Sequence, residues 1–214
     1  FNPAVRKMKE ILHKVGRPFL VMSERLNLGI YQPDVNVVYD LMPHDISIIN
    51  YLFDTSVIEA STNVLKAAEL PQDDFAQSSL VLENGVKGFV TVSWLSPFKV
   101  RQFTVIGSDG MISYDDNRVD EKIKFYDKKL SLNEITKENK DQSYTSMINY
   151  RSGDLFSPFI NQIEALDFEM KEFKKAIDDE SVRKNYNKIN LNIMKSLDII
   201  VKGTTSFGTI KKAA

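Results

Sequence analysis

The chain has 214 residues, 43% of them hydrophobic and 27% charged, with a formal net charge of −1 and no cysteine. That length supports one sizeable core. The balanced charge offers no basic face to nucleic acid or an anionic membrane, and the lack of thiols excludes disulfides, thiolate nucleophiles and Cys-based zinc or iron–sulfur sites.

The predicted elements begin at once. Val5, Met8, Ile11, Leu12 and Val15 follow helical spacing behind Asn2 as N-cap and Pro3 at the first helical position, with Gly16 just past the end. A capped helix so close to a start without methionine suggests that further sequence precedes it. Pro18 to Leu26 alternates as a strand, and Asn27 to Asn36, with Gly29 and Pro33, reads as a loop. From Val37 the apolar positions Val38, Leu41, Ile48, Ile49, Leu52 and Phe53 return to helical spacing. Pro43 would remove the amide bond to the Tyr39 carbonyl and kink that helix.

Val57 to Val64 and Phe75 to Glu83 read as strands, and Asn84-Gly85 predicts a hairpin with a type I′ turn, φ > 0 at both central residues. The returning strand, Val86 to Leu95, places Val90, Val92 and Trp94 on one face and Phe89 and Leu95 on the other. Val100 to Gly107 leads through a second turn at Asp109-Gly110 to Met111–Tyr114, and another strand spans Lys122 to Tyr126. These connections predict an antiparallel meander. Residues 127–146 are polar and predict a mobile loop. Pro158 to Ile177 and Tyr186 to Val201 predict helices, the second ended by Gly203, and Ser206 to Ile210 a last edge strand. The expected fold class is α+β, a predominantly antiparallel open sheet with helices on one face. The other face is then free, and Phe89, Trp94 or Phe103 either line an association surface there or, as such aromatics more often do, simply join the core.

Among chemistry-bearing residues the strongest signal is Asp40-Leu-Met-Pro-His44-Asp45. A carboxylate four residues before a histidine shares its helix face, about 5–6 Å away at Cβ. The imidazole titrates near neutral pH, and the carboxylate can orient it and support its charged form. The same spacing also suits a plain ion pair on a helix surface. Arg25 and Asn27, at the end of the first strand, are placed to reach a sugar or phosphate, or simply to be exposed; Tyr150, Arg151 and Asp154 surround a predicted turn at Gly153. His13 lies on the polar side of the first helix, as a solvated group. With His13 and His44 the only two histidines, a transition-metal site would be mostly carboxylate, and none is expected. No apolar run approaches the roughly 18 residues of a membrane span and no signal-peptide pattern opens the chain, so a cytoplasmic location is expected.

Asp40-x-x-x-His44-Asp45 followed by Tyr51-Leu52, then Glu83-Asn84-Gly85, Val92-Ser93-Trp94, the run Val105 to Met111, and Gly153-Asp154 occur in that order over essentially the whole chain. Together they resemble the C-terminal domain of the glucose–fructose oxidoreductase / inositol dehydrogenase / MocA family. Phe1-Asn2-Pro3 looks like the end of the family's nucleotide-binding half. The resemblance therefore divides the chain into residues 1–16, a helix left from that half, and 17–214, the C-terminal substrate-binding and oligomerisation domain. Leu26-Asn27-Leu28-Gly29 with Val35-Asn36-Val37 resembles members acting on nucleotide-linked N-acetylated amino sugars.

The resemblance implies a dihydrodipicolinate-reductase-like fold within a two-domain oxidoreductase. A Rossmann domain would hold NAD or NADP, and hydride would leave a secondary alcohol of a sugar, nucleotide-sugar or polyol. His44 would be the general acid/base and Asp40 would hold the substrate hydroxyl or orient the imidazole, with Arg25, Asn27, Asn36, Tyr150 and Asp154 as substrate contacts. Family members commonly associate through the sheet, so a homo-oligomer is implied. The sequence departs from the pattern in two places. Its nine glycines include no pair two residues apart, so G-x-G-x-x-G is absent, and Glu-Lys-Pro, whose lysine works beside the family's histidine, does not occur. The chain thus reads as a C-terminal half whose cofactor is bound mainly elsewhere, with none expected for this segment alone. The alternative is a non-catalytic oligomerisation or ligand-binding module built on the same sheet.

Overall fold

The computed structural model describes residues 1–29, 31–67, 71–132, 148–161 and 164–209. In chain order the elements are α1 (Pro3–Ile11), β1 (Pro18–Leu28), α2 (Val37–Phe53), β2 (Val57–Lys66), β3 (Phe75–Leu82), β4 (Lys87–Ser93), β5 (Leu95–Gly107), β6 (Met111–Asp115), β7 (Ile123–Leu132), β8 (Ile148–Phe156), α3 (Ala165–Asp178), α4 (Glu180–Lys202) and β9 (Thr204–Thr209). The strands form one sheet in the order β8-β7-β6-β5-β1-β4-β3-β2-β9. The fold is α+β, as the sequence predicted, and the sheet is mostly antiparallel.

It is not a simple meander. β1 inserts between β5 and β4 and runs parallel to β4, and β9 runs parallel to β2. A parallel neighbour needs a crossover connection, and α2 supplies it, leaving the end of β1 and returning across one face. Alternation along β1 then sets the two faces. Val21, Ser23 and Arg25 point to the helices, in register with Val105, Phe103 and Arg101 of β5, while Met22 and Glu24 point away. Val90, Val92, Phe103 and Val105 are fully buried on the helix side beneath Met42, Ile46 and Ile49 of α2. Trp94 and Phe103 are thus core residues and do not line an association surface; Phe89 remains exposed on the far face.

Local chemistry explains the helix ends. The Asn2 side-chain oxygen accepts from Ala4 N at 2.8 Å, with Pro3 opening α1, and Asn36 accepts from Tyr39 N at 3.1 Å. α2 runs through Pro43 without interruption, and the residue whose carbonyl loses its amide donor, Tyr39, is on the exposed side. α4 begins at Glu180, earlier than predicted, because the Asp179 carboxylate accepts from Ser181 N at 2.8 Å. α3 begins at Ala165 and not at Pro158.

The turns correct the sequence reading in physical detail. Only Gly85 has positive φ, 84°, at the first hairpin; Leu82 and Val86 close a three-residue loop in which Asn84 Oδ1 accepts from Val86 N at 3.2 Å. This is a type I turn followed by a left-handed glycine, not type I′. Gly203 ends α4, but at φ −82°, and it is glycine because a Cβ there would collide with the Ala60 carbonyl of β2. Gly153 is no turn: it lies inside β8, where any side chain would meet the Asp127 carboxylate. Residues 127–132, expected in a loop, continue β7, and 133–147 lie outside the described residues.

Candidate functional site

The face of α2 that carries His44 also carries Ser47, Ile48 and Tyr51, three to seven residues on. This stripe forms one wall of a pocket of about 520 Å³, within the range of small-molecule sites. Arg25 of β1, Arg101 of β5 and Tyr114 of β6 form the base, and the start of α1 and the middle of α4 close the other sides. No membrane-spanning helix and no metal-binding group of His, Cys, Asp and Glu is found among the described residues.

His44 sits on the pocket rim with its ring partly open to solvent. Its proton affinity is lowered below the ordinary histidine value, first by the protein packed around it and then by Arg25 and Arg101, with Asp45 and Asp40 opposing. The imidazole is therefore neutral at neutral pH. Asp40, one turn away, accepts from Trp94 Nε1 at 2.8 Å; among the described residues it is Trp94, not His44, that binds this carboxylate.

The carboxylate fixed beneath the histidine is Asp45. It is 2% exposed and takes both Nε and Nη2 of Arg25, at 2.9 and 3.1 Å, together with Ser23 Oγ at 2.8 Å. A paired and hydrogen-bonded charge is the form in which burial is tolerated. Beside it, Tyr114 donates to Asp116 Oδ1 at 2.8 Å and accepts from Asn2 Nδ2 at 3.0 Å, while Arg101 Nη1 donates to Asp116 Oδ2 at 3.4 Å. Burial, and then the negative charge of Asp116, push the Tyr114 phenol far above its ordinary value, so it stays protonated. Burial alone would raise Asp116, but the bond from Tyr114, the Lys122 charge, and the bonds from Arg101 and Asn2 outweigh it and hold Asp116 ionised.

Of the residues expected at a site, His44 and Arg25 meet in this pocket. Asn27 follows Arg25 on the same face of β1, half-buried, and the oxygen of Asn36 is engaged as the α2 cap. Asp154 is exposed on β8, four strands from β1, roughly 19 Å at the usual strand spacing. The backbone of Tyr150 pairs with Leu130 on that same strand; the side chains of Tyr150 and Arg151 lie outside the described residues. The sequence reading quoted Asp45 beside His44 without giving it a role, and it missed Arg101, Tyr114 and Asp116. A signal existed for two of them. Asp45 falls on the apolar stripe of α2 with Val38, Met42 and Ile49, and Arg101 shares strand parity with Phe103 and Val105. A charge on a core-facing stripe calls for a partner.

Residues 7–113, half of the chain, match the sequence model of the GFO/IDH/MocA C-terminal domain. The chain belongs to that family. Solved structures share the fold of this chain. One, designated an oxidoreductase, from Magnetospirillum magnetotacticum, is 20% identical at a TM-score of 0.69, over 93% of this chain and 60% of that one. UDP-N-acetylglucosamine 3-dehydrogenase from Acidithiobacillus ferrooxidans is 19% identical at 0.61, over 94% and 59%. A protein from Desulfitobacterium hafniense designated an NADPH-dependent oxidoreductase is 15% identical at 0.61, over 94% and 59%. The chain thus spans about 60% of the length of these structures. No curated protein matches it.

Proposed function

We propose that this chain is the substrate-binding and catalytic half of an NAD(P)-dependent oxidoreductase that takes hydride from a secondary alcohol of a sugar, nucleotide-sugar or polyol. Residues 1–16 then close the nucleotide-binding half and 17–214 form the substrate domain. The observation that carries this reading is His44, neutral by virtue of its surroundings, on the rim of a ligand-sized pocket in a chain of this family.

His44 accepts the hydroxyl proton as the carbinol hydrogen leaves, a role suited to a neutral imidazole. Asp40, held by Trp94, orients the hydroxyl or the ring from one turn away. Tyr114 remains a phenol and Asp116 an anion throughout, which leaves His44 as the side chain proposed to exchange the proton. NAD or NADP, when bound, supplies the hydride acceptor. The described helices begin behind Asn2, Asn36, Glu164 and Asp179 and not behind a glycine-rich turn, so the residues present fit the substrate side of the reaction and leave the cofactor pyrophosphate to the other half.

The far face of the sheet exposes Met22, Phe89 and Leu95, and we propose that a second copy covers it, in the cytoplasm, with no part played by nucleic acid or membrane. The catalytic proposal is tested in the protein carrying its nucleotide-binding half. His44→Ala lowers turnover about 10²–10⁴-fold, the usual contribution of a positioned acid/base; near-unchanged turnover with chemistry rate-limiting overturns it.

A further inference from the structure

Arg25 and Arg101 are direct partners across the antiparallel pairing of β1 with β5, on the helix-covered face. Side chains so placed start about 4.5–5.5 Å apart at Cβ, and like charges directly opposite one another destabilise a sheet. The protein holds the two guanidiniums there with separate carboxylates. Asp45 clamps Arg25 at 2.9 and 3.1 Å, and Asp116 holds Arg101 more loosely at 3.4 Å. Among the described residues no partner is found for Nη1 of Arg25 or Nη2 of Arg101, and 40% of the Arg101 side chain is exposed. Both line the pocket beside His44 together with Arg6 and Asp116, and Asp45, behind Arg25, balances that guanidinium. Uncharged sugar hydroxyls do not require two guanidiniums with free N–H groups side by side. A planar guanidinium fork matches the paired oxygens of a carboxylate or phosphate.

We propose that the Arg25–Arg101 pair is the receptor for an anionic group of the substrate, a sugar-borne phosphate or carboxylate, and that this group anchors the molecule with its carbinol at His44. The assignment rests on the pocket being the substrate site. Arg25, locked by the buried Asp45, is the preorganised half of the receptor; Arg101 is the half free to close on the ligand.

Calorimetry on the 214-residue chain at one fixed ionic strength tests this with N-acetylglucosamine 1-phosphate, glucuronate and uncharged N-acetylglucosamine as probes. One or both charged probes bind about 10- to 100-fold more tightly than the uncharged sugar, the range expected of hydrogen bonds to a charged group. The tighter of the two distinguishes phosphate from carboxylate. Arg101→Gln removes the preference, and Arg101→Lys, which keeps the charge without the fork, restores part of it. In an NMR titration the charged probe raises the pKa of His44 in the parent protein and leaves it unmoved in Arg101→Gln. Equal affinity for charged and uncharged probes, no binding of either charged probe, or a charge preference that survives Arg101→Gln overturns the proposal. None of these readouts involves hydride transfer, so their failure and the failure of the dehydrogenase reading are separate results.

Discussion

The two faces of the sheet are built by the same alternation and end differently. On one face, Val21, Val90, Val92, Phe103 and Val105 are buried beneath the helices, and the charges that share their parity, Arg25 and Arg101, line a pocket, with Asp45 buried behind Arg25. On the other, Met22, Phe89 and Leu95 stand among Glu24, Lys87 and Thr91 with solvent access. The difference lies in the cover and not in the strands. Where this chain supplies helices, charge is fixed and solvent is partly excluded, which lets neighbours shift the proton affinity of His44. Where the described residues supply none, the mixed face keeps its access to solvent.

The largest effect separating the faces is expected at Asp45. Asp45→Ala leaves the half-buried Arg25 without its buried counter-charge, and chemical denaturation should show a loss of about 3 kcal/mol; a loss below about 1 kcal/mol would mean that the pair is not what fixes the pocket floor. On the open face, Phe89→Glu should leave the fold intact, because the ring is 46% exposed, while weakening self-association roughly 10-fold or more by sedimentation. A parent protein that sediments as a single chain would contradict the proposed second copy. Trp94→Phe removes the indole donor of Asp40 and should cost about 1–3 kcal/mol, with packing largely kept. Gln77→Ala, on the exposed face, should change stability by less than about 0.5 kcal/mol.

The face assignment itself was legible in the sequence. Strand parity from Val86 to Leu95 separates Val90, Val92 and Trp94 from Phe89 and Leu95, and the structure divides them the same way. The start of α1 was equally plain, because Asn2-Pro3 acts locally, and helical spacing from Val37 placed α2, but Asn36 was read as a substrate contact and not as its cap. The position of β1 between β5 and β4 was hidden, since it depends on pairing between strands far apart in sequence, and no local pattern encodes it. Gly153 misled for a related reason: its glycine answers a contact across the sheet with Asp127 and not a turn of its own backbone. At the site, the Asp40/His44 spacing drew attention to α2, yet the carboxylate that holds Arg25 below His44 is Asp45, on the core-facing side. Arg101, Tyr114 and Asp116 join the pocket only through strand pairing.

His44 is the proposed proton acceptor, its affinity lowered first by burial and then by Arg25 and Arg101, with Asp45 and Asp40 opposing. Alcohol oxidation needs the neutral imidazole, so the rate falls as pH drops through the folded pKa. The most direct test is the pH profile of kcat/KM for alcohol oxidation by the protein with its nucleotide-binding half. The parent should show an acid limb with an apparent pKa below the ordinary 6.5 of histidine, and His44→Gln should be slower and lack that limb. An unchanged acid limb in His44→Gln would contradict the account.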